Sequence, residues 1–204
     1  MLKKQSRRHI ARFTYRKYKG KGANNSGDEV NTPEQIGTVN YSDEKAVLKA
    51  LANGEKETEG LSYEVNYTVT SDGKVWKVLG GEDTVDPSSI PSGLKGSYSY
   101  HNHPNNVTRY SFSAKDVAFF LESGEQYSKA SDDIYQYAMR RTAKTLDTEY
   151  INAYNDFNRI WQYEVCQMSL DGIIDIDIDG FHETVKLLSK KYNFDYERRL
   201  KNES

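Results

Sequence analysis

The sequence predicts an α+β fold: a mixed β-sheet of about five strands flanked by helices, with a basic N-terminal arm and a helical C-terminal extension. Three observations carry this. Residues 62–79 alternate in polarity around a Ser-Asp-Gly turn, the mark of a hairpin. Residues 113–122 open on a Ser-x-x-Asp cap and continue with apolar side chains at helical spacing. Residues 145–168 place Ile151, Tyr154, Phe157, Trp161 and Val165 three or four positions apart, the period of one helix face. Hydrophobic residues make up only 36% of the 204, but 16 tyrosines add rings that pack while leaving a hydroxyl to water, so a modest core is expected.

The elements follow in order. Residues 1–18 read as a short helix or an arm, and 19–38, rich in Gly, Asn, Ser and charge, as a linker. Ser42 reads as the N-cap of a helix over 43–52, with Ala46, Val47, Leu48 and Leu51 apolar and Gly54 as its stop. Residues 62–70 put Val65, Tyr67 and Val69 on one face and Glu64, Asn66 and Thr68 on the other. Ser71, Asp72 and Gly73 turn the chain into a second strand over 74–79. Residues 80–96 are a loop, and 96–101 a strand that runs into His101-Asn102-His103-Pro104. Ser113 caps the next helix, whose apolar side is Val117, Phe119, Phe120 and Leu121. Strands are expected over 127–130 and 134–141, and a last helix over 181–192. The organisation is thus an arm and linker (1–38), a central domain (39–143) and a helical extension (144–204).

Bulk properties narrow the function. The single cysteine, Cys166, excludes an intrachain disulfide and any site built from several thiolates of this chain, which fits a reducing compartment. No apolar run approaches the roughly 20 residues that span a bilayer, and no apolar stretch follows the basic N-terminus as in a signal peptide; a cytoplasmic protein with no membrane partner is expected. Residues 1–22 hold nine basic and no acidic side chains, so the rest carries 19 basic against 30 acidic. Lys3, Lys4, Arg7, Arg8, Arg12, Arg16 and Lys17, interleaved with Phe13, Tyr15 and Tyr18, have the composition of a nucleic-acid-binding arm. The same composition also describes a solvated tail or one folded back on the acidic body.

Two of the four histidines stand at His101 and His103. Residues i and i+2 of a strand point to one side, so both imidazoles can address one ion. Asp116, in the first turn of the helix after Ser113, can supply a third ligand, and two His with one carboxylate leave tetrahedral zinc an open position. Taken alone, Ser113 and Asp116 also make an ordinary capping box. Asp175, Asp177, Asp179 and Gly180 mimic the start of a calcium loop, but its twelfth position is Lys186 rather than Glu, so no calcium site is expected. His182-Glu183 lacks the second His of a zincin helix. Tyr154, Phe157 and Trp161 read as helix packing.

The run Glu64 … His101-Asn102-His103-Pro104 … Ser113-Ala114-Lys115-Asp116 resembles the JAMM (JAB/MPN) metalloprotease motif. It is most similar to RadC-type domains and to the JAB-like domains of phage head-morphogenesis proteins, over about residues 60–141. Nine residues separate His103 from Ser113, where the family usually places seven. Ser111 stands at the seven-residue position without the matching Asp, and a two-residue loop insertion is readily accommodated. The resemblance implies a JAB/MPN-like fold with cytidine deaminase-like layering and a zinc ion held by His101, His103 and Asp116. Glu64, rather than Glu57 or Glu59, would take a proton from the zinc-bound water and pass it to the leaving amine. Ser113 would donate to the developing oxyanion. The implied activity is hydrolysis of a peptide or isopeptide bond, in a protein encoded by a phage or mobile element and acting in the host cytoplasm. Its substrate would be a protein or peptide, such as a ubiquitin-like or phage structural protein. The alternative keeps the fold without peptidase activity, as a RadC-like, phage-assembly or nucleic-acid-associated module.

Overall fold

A computed structural model describes residues 31–104 and 110–201. The chain runs β1 (Pro33–Thr38), α1 (Glu44–Glu57), β2 (Val65–Val69), β3 (Lys74–Leu79), β4 (Tyr98–Asn102), α2 (Ala114–Ser123), β5 (Tyr127–Ser131), β6 (Tyr135–Arg141), α3 (Tyr150–Ile160), α4 (Cys166–Leu170), α5 (Ile176–Tyr192) and β7 (Phe194–Leu200). The strands form one mixed sheet of seven in the order β1-β3-β2-β4-β5-β6-β7. Among the described residues, only β4 and β5 pair in parallel. A parallel pair needs a crossover, and α2 supplies it.

Alternation along the strands assigns the two faces. Val65, Tyr67, Val69, Val75 and Tyr100 pack under Val47 and Leu51 of α1. The opposite face carries the larger core, in which Phe112, Val117, Phe120 and Leu121 meet Ala130, Tyr137 and Met139 and the α3 and α5 side chains Phe157 and Leu188. The class is α+β, as expected, with helices on both faces of the sheet.

The sheet has seven strands where about five were expected, and both additions are edge strands. β1 lies in the stretch read as linker, and β7 in the stretch read as a helical extension. An edge strand pairs on one side only, so it tolerates Pro33 at its first position and a register shift between Gln35 and Gly37, both of which erase the alternation signal. β7 (sequence FDYERRL) is held along its whole length by β6. Helix ends differ too. α1 is capped by Asp43, not Ser42, through bonds from the Lys45 and Ala46 amides, and it continues past Gly54. A Cβ on Gly54 would lie 2.5 Å from Cγ of Tyr67, so this glycine is a point of close approach rather than a stop. The expected helix over 145–168 begins at Tyr150 and passes through a π-helical turn, Trp161–Val165, before α4. α5 starts five residues earlier than the expected 181, because Asp175 caps it and Asp177 and Asp179 sit in its first turn, where the helix dipole favours acids.

Candidate metal centre

The sheet face opposite α1 is polar where β2, β4 and β5 cross it: Asn66, Thr68, Ser99 and Ser128 are all buried there. His101, at the end of β4, and His103, just beyond it, enter the same side. Their Nε2 atoms stand 2.8 Å apart, a separation at which two ring nitrogens share either a proton or a cation. Asp116 completes the group from α2, with Oδ1 3.6 Å from His101 Nε2 and Oδ2 3.8 Å from His103 Nε2. One donor atom from each residue lies within 4.8 Å of the others, so the cluster could hold a metal ion. Zinc bonds of about 2.0–2.1 Å at tetrahedral angles separate ligand atoms by about 3.3 Å, which these distances bracket.

Electrostatics favour ligation. Burial lowers the pKa of both imidazoles, His103 to about 3 with His101 adding to the effect and Asp116 opposing it. Both are therefore neutral at pH 7, the form whose lone pair binds a metal. Burial opposes ionisation of Asp116, but His101, His103 and two bonds from Ser113 outweigh it and hold the carboxyl below its usual value. Phe112 packs near both rings, at 6.1 and 6.4 Å between centroids.

The capping box is present: Ser113 N–H donates to Asp116 Oδ2 at 2.7 Å, and Asp116 N–H donates to Ser113 Oγ at 3.3 Å. A carboxylate has about four lone-pair positions, so it can cap α2 and still address the imidazoles. The Ser113 hydroxyl accepts the Asp116 amide, and its own hydrogen is directed to the Asp116 carboxylate. Ser111 is instead buried and bonded to the Tyr196 hydroxyl, which also reaches His182.

Glu64 lines the same cleft as His101, Ser113 and Asp116. It precedes β2, and its backbone bonds to Gly80 and Gly81. Glu57 instead accepts the Tyr67 hydroxyl, on the α1 face. Burial first, then Asp116 and Asp83, push the Glu64 carboxyl up to about 9 against the opposing Lys115 and a backbone bond from Val85. A cation held by the His101–His103–Asp116 cluster would favour its carboxylate form.

Three features lay outside the sequence reading. Asn102, between the two histidines, points to neither: it accepts from Val65 N–H at 2.7 Å and donates to the Tyr63 carbonyl at 2.9 Å, clamping the residues on either side of Glu64. Glu125, 2% exposed, lies on the cleft floor with its pKa raised to about 8, chiefly by burial. The third is the cleft wall. The cavity measures about 1440 Å³ and is walled by Tyr150, Tyr154, Phe157, Trp161 and Phe181, so the stripe read as helix packing also faces an opening. Phe181 meets Phe157 and Trp161 edge-on at 5.3 and 4.9 Å. Gly180 admits the indole: a Cβ there would lie 2.5 Å from Cζ3 of Trp161.

The basic positions Lys3, Lys4, Arg7, Arg8, Arg12, Arg16 and Lys17 lie outside the described residues, as does the loop 105–109. Among the described residues, no helix is long and apolar enough to cross a membrane. Comparison with models of protein families, with curated proteins and with solved structures finds no significant match to this chain.

Proposed function

We propose that this protein is a mononuclear zinc hydrolase of the JAMM type that cleaves a peptide or isopeptide bond. The observation that carries the reading is the convergence of His101, His103 and Asp116, with both imidazoles buried and neutral, in an open cleft that Glu64 and Ser113 also line. Two His and one carboxylate are the donor set of zinc sites that keep one position open. The ion, when bound, supplies Lewis acidity. Glu64 relays the proton from the attacking water to the leaving amine. Ser113, its acceptor side used by the Asp116 amide, turns its hydroxyl hydrogen from the Asp116 carboxylate to the oxygen that gains charge. The aromatic wall shields the reacting groups from bulk water and seats the chain to be cut.

A second reading keeps the metal without the hydrolysis, in a RadC-like or phage-assembly module.

Elemental analysis after dialysis tests the first step: about one zinc per chain is expected in the wild type and none in His103→Ala. A wild type that takes up no zinc on reconstitution removes both readings. Glu64→Gln then separates them. Retained zinc with loss of cleavage against peptide and isopeptide substrates supports the hydrolase. Cleavage unchanged by Glu64→Gln assigns the base elsewhere, and a zinc-loaded wild type that cleaves none of them supports the module.

A further inference from the structure

We propose that the mouth of the cleft is the docking site for the chain's own basic segment, residues 1–22. Three independent observations converge on this occupant, and none depends on zinc or hydrolysis.

The first is where the segment attaches. At the start of the described chain, the Asn31 side chain accepts the Asp86 amide at 3.0 Å, and the Asn31 carbonyl accepts the Ser89 hydroxyl at 3.1 Å. Asp86, Pro87 and Ser88 are themselves part of the cleft lining. Asn31, the residue that follows residues 1–30 in the sequence, is therefore bonded beside the cleft lining. An extended chain covers about 3.3 Å per residue, so the eight residues 23–30 can span up to about 26 Å from Asn31.

The second is charge. Asp83, Asp86 and Asp177 are exposed at the mouth, and Lys115 is the one cation among the described lining residues. Residues 1–22 bring nine basic side chains and no acid to a body that is acidic without them. The third is surface chemistry. Tyr163 and Leu170 stand on the rim 67% and 80% exposed. The segment carries Phe13, Tyr15 and Tyr18 among its basic residues, so rings and cations come in the same short stretch. Tethering raises the local concentration of the segment to the millimolar range, so a weak site is filled. A segment seated there competes with any external ligand of the cleft.

Cys166, the single cysteine, is half-buried in the same cleft and reports its occupancy. The test measures its alkylation by iodoacetamide, an uncharged reagent, in the full chain. At about 0.01 M salt the wild type should react several-fold more slowly than a full-length variant with Arg7, Arg8, Arg12 and Arg16 changed to Gln. The difference should close at about 1 M salt, where screening shortens to roughly 3 Å. Changing Asp83, Asp86 and Asp177 to Asn should deprotect Cys166 to the same extent. Equal rates at low salt overturn the proposal. Protection that strengthens with protein concentration also overturns it, because the occupant is then the segment of a second copy.

Discussion

Asp116 shows how much one side chain can carry. Its carboxylate closes the cap of α2 and stands within 3.8 Å of two imidazole nitrogens, two duties that compete only if lone pairs run short. Asn102 is the less visible counterpart. Its two neighbours in sequence supply the imidazoles, while its own amide pins Tyr63 and Val65 and so sets where Glu64 stands. Asn102→Leu removes both bonds and leaves two backbone groups unpaired. The variant should be less stable by about 1–3 kcal/mol in urea unfolding. It should also retain zinc, because the β4–β5 ladder still places His101. Unchanged stability would show that the clamp is dispensable. Glu125 gives a pH signature. Its carboxyl is raised from 4.5 to about 8 in the folded state, so between those values the native chain holds a proton that the unfolded chain has lost. Stability from this group is present in full below about 4.5 and is lost as pH rises through about 8, by up to about 1.4 kcal/mol per pH unit. Glu125→Gln should therefore gain on the wild type progressively across that window. A parallel pair of stability–pH curves would show that Glu125 is ionised in the fold.

At the scale of the element, local signals were readable where one face is buried and one is not. The β2–β3 hairpin and the cap of α2 stand where their alternation and their Ser-x-x-Asp cap put them. The signal failed where a neighbour decides. Gly54 reads as a helix terminator, but α1 continues through it, and the Tyr67 ring occupies the space its Cβ would take. Replacing a mid-helix glycine by alanine ordinarily stabilises by about 1 kcal/mol. Gly54→Ala should instead destabilise by about 1–3 kcal/mol, the usual result of overpacking. Thermal unfolding of the variant decides the sign, and a raised midpoint would mean that the ring moves aside without loss. The edge strands failed for the opposite reason: β1 and β7 are held by backbone pairing, to which side-chain pattern contributes little.

Across the whole molecule, the cleft joins parts that are far apart in sequence. Glu64, the His101–His103 pair and the α2 cap face side chains of α3 and α5 across one opening. Ligation of three residues from two elements should couple metal binding to folding. With free zinc at 100 times its dissociation constant, the unfolding free energy should rise by about 2.7 kcal/mol. That gain should vanish in His103→Ala, and calorimetry with and without a chelator measures it. A wild type whose stability ignores zinc would show that the cluster does not bind the ion in the native fold.

The sequence alone determined the α+β class, the hairpin, and the three residues whose donor atoms converge. These depend on spacing: two positions along a strand and one turn into a capped helix bring side chains together with little help from the rest of the chain. Tertiary structure alone decided the two edge strands, the clamp of Asn102, and the conversion of a helix-packing stripe into a cleft wall. Each of these rests on contacts between segments tens of residues apart, and burial, the property that sets their geometry and their pKa values, exists only once the layers have closed.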